Sequence, residues 1–283
     1  MFEKGARPIK NPLIEQHYHI YDFVRPSLAS YSDCWERWLT WSDHKTLLGL
    51  DKFGFRDYVQ GTSQAFDHFV LRHASTKIIS AFRGDFQYHA CISKRVSFEY
   101  LDSMDDLTED HAVIISVPFS DLGKVLPGCN DLMRRCWNLG IPVCLDLAYW
   151  GIAKNVHVNL NDCPCVTEVV SSLSKSFYTL ENHRVGIRFS RNYLDDGVSM
   201  INEVNMQNFY SMGLGMHYME KFNCDWNWNQ YSMKYQNLCQ AHGLQETDTV
   251  IFGLSDDPVY SEFGRGTLGN YRLCLSKQLS DMI

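Results

Sequence analysis

Two almost wholly apolar runs constrain this chain most: Ala112-Val113-Ile114-Ile115-Ser116-Val117 and the stretch from Pro142 to Leu147. Each has the length of one strand and no polar face, so each suits a strand covered on both sides. Between them, Asn130 to Leu139 reads as a helix, with Gly140 placed to end it and Pro142 beyond. Strand, helix and strand with short joints predict a parallel α/β sheet. Thr76 to Phe82, Val96 to Tyr100 and Val166 to Val170 add strands to the same pattern. Ala65 to His73 adds a helix with Phe66, Phe69 and Val70 on one face, and His89 to Lys94 a shorter one.

The two ends of the chain read differently. Residues 1–58 are aromatic-rich and irregular, with one helix face at Trp35, Trp38 and Leu39. After Gly186 the rhythm changes to helices over about 198–242. Val250 to Gly253 and Tyr271 to Leu275 then read as strands of a smaller α+β unit. The expected division is an N-terminal segment 1–58, a large α/β domain 59–190 and a small C-terminal α+β domain 191–283.

Composition narrows the function classes. A net charge of −7 with no basic cluster argues against a nucleic-acid binder. No apolar run reaches the roughly 18 residues of a membrane span, so none is expected. Cysteines such as Cys91, Cys136 and Cys144 fall inside apolar elements, where free thiols pack as small hydrophobes. Ten such cysteines imply a reducing cytoplasm. Cys163-Pro164-Cys165 and His17-Tyr18-His19 lack the spacing of a zinc site. They read as packed thiols and surface imidazoles, and no metal is expected.

Chemistry is suggested by Lys175, in Ser171-Ser172-Leu173-Ser174-Lys175, where the strand from Val166 leaves the sheet. Desolvation lowers a lysine pKa, and a neutral amine can form a Schiff base with a carbonyl. Arg184, in Arg184-Val185-Gly186, adds a cation that does not deprotonate. A reactive lysine beside an anion-binding arginine fits a phosphate-bearing aldehyde, for which pyridoxal phosphate is the candidate. The competing reading is a lysine snorkelling from a strand end.

Four other places bear on this idea, each with a plain structural alternative. Gly61-Thr62-Ser63 opens a helix, where exposed N–H groups favour phosphate; an ordinary N-cap is the alternative. Asp146 and Tyr149 follow a buried strand, where ligands of parallel sheets gather. An ionised Asp146 can keep a pyridine nitrogen protonated and Tyr149 can donate to a ring oxygen; a turn-capping aspartate is the alternative. Phe86 or Tyr88 can cover a cofactor ring, or simply fill core. Arg272, embedded in Tyr271-Arg272-Leu273-Cys274-Leu275, needs an anionic partner, either a substrate carboxylate or an internal acid.

In this order the parts resemble the fold-type I pyridoxal-phosphate enzymes, above all the class I/II aminotransferases. The likeness spans roughly residues 60–275, and is most specific from Ser172 to Gly186 and at Asp146-x-x-Tyr149. It implies a three-layer domain with a mostly parallel sheet and a smaller C-terminal domain. It implies that Lys175 forms the internal aldimine. Ser172, Arg184, Gly61, Thr62 and Ser63 would hold the phosphate. Asp146 would hold the ring nitrogen, Tyr149 the ring oxygen, and an aromatic (Phe86 or Tyr88) the ring face. Arg272 would grip the substrate α-carboxylate. The substrates implied are an L-amino acid and a 2-oxo acid, and the assembly a homodimer with the N-terminal segment reaching its neighbour. The same cofactor residues serve lyases, decarboxylases and condensing enzymes, and a non-catalytic protein can retain the fold.

The chain also departs from that family's pattern. Ser120 stands where the family usually has an asparagine beside the ring oxygen. Arg184 lies one residue later after Lys175 than the pattern implies, which predicts a small bulge. The chain is shorter than usual in the N-terminal arm and between Gly186 and Arg272.

Overall fold

The computed structural model describes residues 2–86, 88–265 and 270–281. Its main sheet is built from β2 (Phe55–Val59), β3 (Ile78–Phe82), β4 (Phe98–Leu101), β5 (His111–Ser116), β6 (Val143–Asp146), β8 (Val166–Ser172) and β9 (Gly186–Ser190). Their order across the sheet is β2-β9-β8-β6-β5-β3-β4. Only β9 runs against its neighbours. The short strands β1 (Lys45–Leu48) and β7 (Val156–Asn159) pair in parallel outside this sheet.

The apolar run at β5 explains the layering. Successive residues of a strand face opposite sides. Val113 and Ile115 enter one core cluster, Ala112 and Ile114 another. The first cluster also takes Trp35, Trp38 and Leu39 of α2 (Leu28–Thr40), Met133 and Cys136 of α5 (Cys129–Asn138), and Leu214 of α7 (Phe209–Lys221). The second takes Phe66, Phe69 and Val70 of α3 (Thr62–His73) and Val198 of α6 (Gly197–Glu203). Helices therefore cover both faces, as the two apolar runs require. The short helix α4 (His89–Ile92) closes the turn after β3.

The helix expected at Asn130 to Leu139 is α5, and Gly140 just past it has φ +65°, the left-handed value that ends a helix.

The C-terminal part has its own antiparallel sheet, β10 (Gln245–Glu246), β11 (Phe252–Ser255) and β12 (Tyr271–Cys274). It packs with α8 (Trp226–Ala241) and α9 (Ser276–Asp281) around Tyr231, Tyr235, Phe252, Leu273 and Leu279. β11 begins two residues later than the expected strand at Val250, because the Val250 N–H turns away to the carbonyl of Ile152.

Residues 1–58 are more regular than their sequence suggests. They hold α1 (Pro12–His19), α2, β1 and all but the last residue of β2, a strand of the main sheet that the expected boundary after residue 58 cuts. Asn11 caps α1 by accepting the N–H of Leu13. β1 and β2 escape local reading because their partners, β7 and β9, lie more than a hundred residues on. Before α1, the chain crosses the C-terminal unit: Glu3 pairs with Cys274, and Ile9 is buried in that unit's core.

Among the described residues no helix is long and apolar enough to cross a membrane, and no group of three or more His, Cys, Asp or Glu side chains is placed to hold a metal ion. All ten cysteines are free thiols.

Candidate active site

The sequence-predicted residues come together at the carboxyl ends of the parallel strands. In open α/β sheets this is where ligands bind. Asp146 is the last residue of β6, Ser172 the last of β8, and Lys175 lies in the turn beyond. Gly61 and Thr62 join β2 to α3. Thr62, Phe86, Asp146, Tyr149, Lys175 and Arg184 line one cleft, closed below by Ser172 and Ser174.

One side of the cleft is cationic. Gly61 has φ +77° and ψ 168°, a conformation open to glycine. A Cβ there would stand 2.3 Å from Nη2 of Arg184. Arg184 itself has φ +54°, a left-handed conformation uncommon for a residue other than glycine. Its Nη2 donates to Ser63 Oγ at 3.1 Å and its Nη1 approaches Ser174 Oγ at 3.5 Å. Ser174 is tied to Ser172, Oγ to Oγ at 2.8 Å. Among the described residues no carboxylate pairs with Arg184. The ordinary-cap reading of Thr62 and Ser63 is not what is seen: Gly61 is the N-cap, and no side chain caps α3. The first N–H groups of a 12-residue helix thus face the same place as Arg184.

The opposite side is acidic. Asp146 is 2% exposed. Its Oδ1 accepts the N–H of Ala148 at 2.9 Å, so it does cap the following turn. Its Oδ2 has only the Ser116 hydroxyl, at 3.5 Å. Burial, then the negative charge of Asp85, push Asp146 up to about 8.

Lys175 sits between the two sides. Its Nζ donates to the carbonyl of Ala6 at 3.1 Å. Burial lowers its pKa, and the charges of Arg7 and Arg184 add to this against the opposing pull of Glu181. Lys175 is partly exposed, but its amine turns to the N-terminal segment rather than straight out to water.

Beyond the cleft, the Tyr149 hydroxyl and Ser120 Oγ lie 3.2 Å apart, so Ser120 does stand beside Tyr149. Arg272 is fully buried on β12. Its Nη1 donates to the Ser120 carbonyl at 2.5 Å and its Nη2 to the Lys4 carbonyl at 3.0 Å. Its guanidinium lies 4.1 Å from the centre of the Phe252 ring. Its Nε has no acceptor, and no acid pairs with it among the described residues. Phe86 lines the cleft, edge-on to Phe66. Tyr88 stacks on Phe86 but turns its hydroxyl to Asp67 on α3, outside the cleft lining.

Four nearby residues have no counterpart in the sequence reading. Asp85 and Ser116 flank Asp146, and Ser174 links Ser172 to Arg184. Arg265 donates to the Asp85 carbonyl at 3.4 Å and feels the charges of Arg272, Tyr149 and Asp121. Asp85 had one usable signal, since it follows a strand end just as Asp146 does.

No protein-family model matches the chain, and no curated protein is similar to it in sequence. Solved structures are similar to it in fold. A C-S lyase from Staphylococcus hominis, solved with pyridoxal phosphate bound, aligns with TM-score 0.68 at 12% identity, over 96% of this chain and 85% of its own. An aminotransferase from Mycobacterium tuberculosis aligns with TM-score 0.66 at 11% identity, over 96% of this chain and 86% of its own. Alanine aminotransferase from Pyrococcus furiosus gives 0.65 at 11%, over 97% and 87%. At such identities the likeness is one of fold. Strand order, the single reversed strand β9 and these alignments together give this chain the fold of the fold-type I pyridoxal-phosphate-dependent enzymes, in its aminotransferase-like form.

Proposed function

We propose that this protein is a pyridoxal-phosphate enzyme that moves an amino group between an L-amino acid and a 2-oxo acid. One observation carries the reading: Arg184, Asp146 and Lys175 open on a single cleft, and among the described residues none of the three is in a salt bridge. Arg184 with Ser63, Ser172 and the start of α3 would hold a phosphate. Asp146, buried and pushed up to about 8, would take the N–H of a protonated ring nitrogen. Tyr149 and Ser120 would face the ring oxygen, and Phe86 the ring face. When bound, the cofactor supplies an electron-poor ring that accepts the electron pair left at the substrate α-carbon.

The residues of the chain do the rest. Lys175, its amine biased towards the neutral form, would hold the cofactor aldehyde and, once free, would carry the proton from the α-carbon to the former aldehyde carbon, so that water can then release the 2-oxo acid. Asp146 would keep the proton on the ring nitrogen. Arg272, whose Nη atoms here serve the Ser120 and Lys4 carbonyls, would exchange them for the α-carboxylate and orient the bond to be broken. The Lys4 and Ala6 carbonyls would help exclude water. The proposal includes the homodimer, the reducing cytoplasm and the division at 1–58, 59–190 and 191–283.

A second reading is a lyase on the same cofactor. A C-S lyase shares the fold, and Ser120 changes the hydrogen bonding beside the ring oxygen. The deciding experiment is the visible spectrum of the protein with pyridoxal phosphate, during addition of L-amino acids. A band that bleaches with one donor and returns with a 2-oxo acid supports amino-group transfer. Release of a thiol, ammonia and a 2-oxo acid from an S-substituted cysteine supports the lyase. Absence of any band refutes both and leaves a non-catalytic protein with this fold.

A further inference from the structure

Asp85 is the buried acid to which the proposed chemistry gives no task. It lies in the turn after β3 and is 6% exposed. Its Oδ1 accepts the N–H of Phe86 at 2.8 Å, and its Oδ2 the N–H of Ser116 at 3.0 Å. Among the described residues no cation forms an ion pair with it. Ser116 ends β5, between β3 and β6, and joins two acids: its N–H goes to Asp85 and its hydroxyl to Asp146. The other ionisable groups around the pair come from separate elements. Arg265 reaches the Asp85 carbonyl, and its guanidinium feels the Asp85 charge. His89 of α4, fully buried with neither ring nitrogen hydrogen-bonded, feels the Asp85 charge. Lys175 faces Asp146 from the turn after β8.

Burial, and then the Asp85 charge beside it, disfavour the ionised form of Asp146. A proton on Asp146 relieves this. A ligand that brings an N–H cation to Asp146 relieves it better, because one cation then faces two negative charges. We propose that Asp85 is a positioning residue that makes the Asp146 end of the cleft select a protonated ring nitrogen over an uncharged ring atom. The inference rests on pyridoxal phosphate as the cofactor.

The test reads binding. Pyridoxal phosphate and its 1-deaza analogue, with carbon in place of the ring nitrogen, are titrated into cofactor-free protein at neutral pH. The wild type should prefer pyridoxal phosphate. Asp85→Asn should narrow that preference about tenfold, the equivalent of one pKa unit between protonation states. It should do so by weakening pyridoxal phosphate alone, and Asp85→Glu, which keeps the charge, should restore it. Should Asp85→Asn fail to fold, Asp85→Ser carries the same expectation. Equal weakening of both compounds would make Asp85 merely structural and overturn the proposal, as would an unchanged preference. A wild type that binds neither compound refutes the cofactor reading itself, a result distinct from binding with an unaltered preference.

Discussion

Lys175 and Asp146 hold opposite problems in one cleft. Burial disfavours the charge on both, lowering the lysine and raising the acid. Removing the lysine should therefore cost no stability: Lys175→Ala is expected to keep the far-UV circular dichroism and melting temperature of the wild type while losing the visible band formed with pyridoxal phosphate. An unaltered band in that variant would refute the role of Lys175. For Asp146 the sign follows from linkage. Its folded value of about 8 lies above its ordinary 3.8, so between these limits the folded protein keeps a proton that the unfolded chain releases. Its contribution to stability is present at low pH and is lost as pH rises towards 8. Asp146→Asn should remove that dependence, so the cofactor-free variant gains on the wild type between pH 5 and pH 8. Urea unfolding at the two pH values measures this, and an equal difference at both would refute the assignment. Ser172, Lys175 and Arg184 are legible in the sequence because they lie close together in it. Asp85 and Ser116 are not, because strand pairing alone brings them to Asp146.

At the scale of elements, the anion side depends on the junction of β2 with α3 and on the strand that pairs with β2. Gly186 opens β9, and a Cβ on it would meet the Ser171 carbonyl at 2.8 Å and Gly61 Cα at 3.1 Å. Glycines thus let two chain segments approach so that Arg184 can lie over the start of α3. Gly61→Ala places a Cβ against the Arg184 guanidinium at positive φ. It should cost about 1–3 kcal/mol of stability and weaken pyridoxal phosphate binding, read by thermal unfolding and by titration. Retention of full affinity would show that the junction does not shape the anion site. Beneath the same junction, Arg188 of β9 is buried with Asp57 and Asp196, while Arg72 of α3 reaches Glu168 and Asp196. This network clamps α3 to the sheet. The sequence placed α3 correctly from its apolar face, but its salt partners, Glu168 and Asp196, come from β8 and from the loop before α6.

At the scale of the whole molecule, the segment before β2 ties the parts together. Lys45 of β1 is fully buried and pairs with Asp225 just before α8, while its Nζ also donates to the carbonyls of Ala153 and Cys224. Asp225→Ala would leave that cation buried without a counter-ion, at a cost of about 3–5 kcal/mol. Chemical denaturation measures it, and a loss under 1 kcal/mol would mean that water or the carbonyls suffice. Further upstream, Lys4 and Ala6 place their carbonyls on Arg272 and Lys175, residues 268 and 169 positions away.

The sequence by itself determined the layered α/β sheet, the helix faces and the cluster around Lys175. Each is a local pattern: apolar runs, a 3.6-residue period, and a short motif. Tertiary structure alone decided the reversed β9, the pairing of β1 and β2, the Asp85–Ser116–Asp146 contact and the cover over Lys175 and Arg272. Those features join residues tens to hundreds of positions apart. They arise when the sheet closes, and no local spacing encodes them.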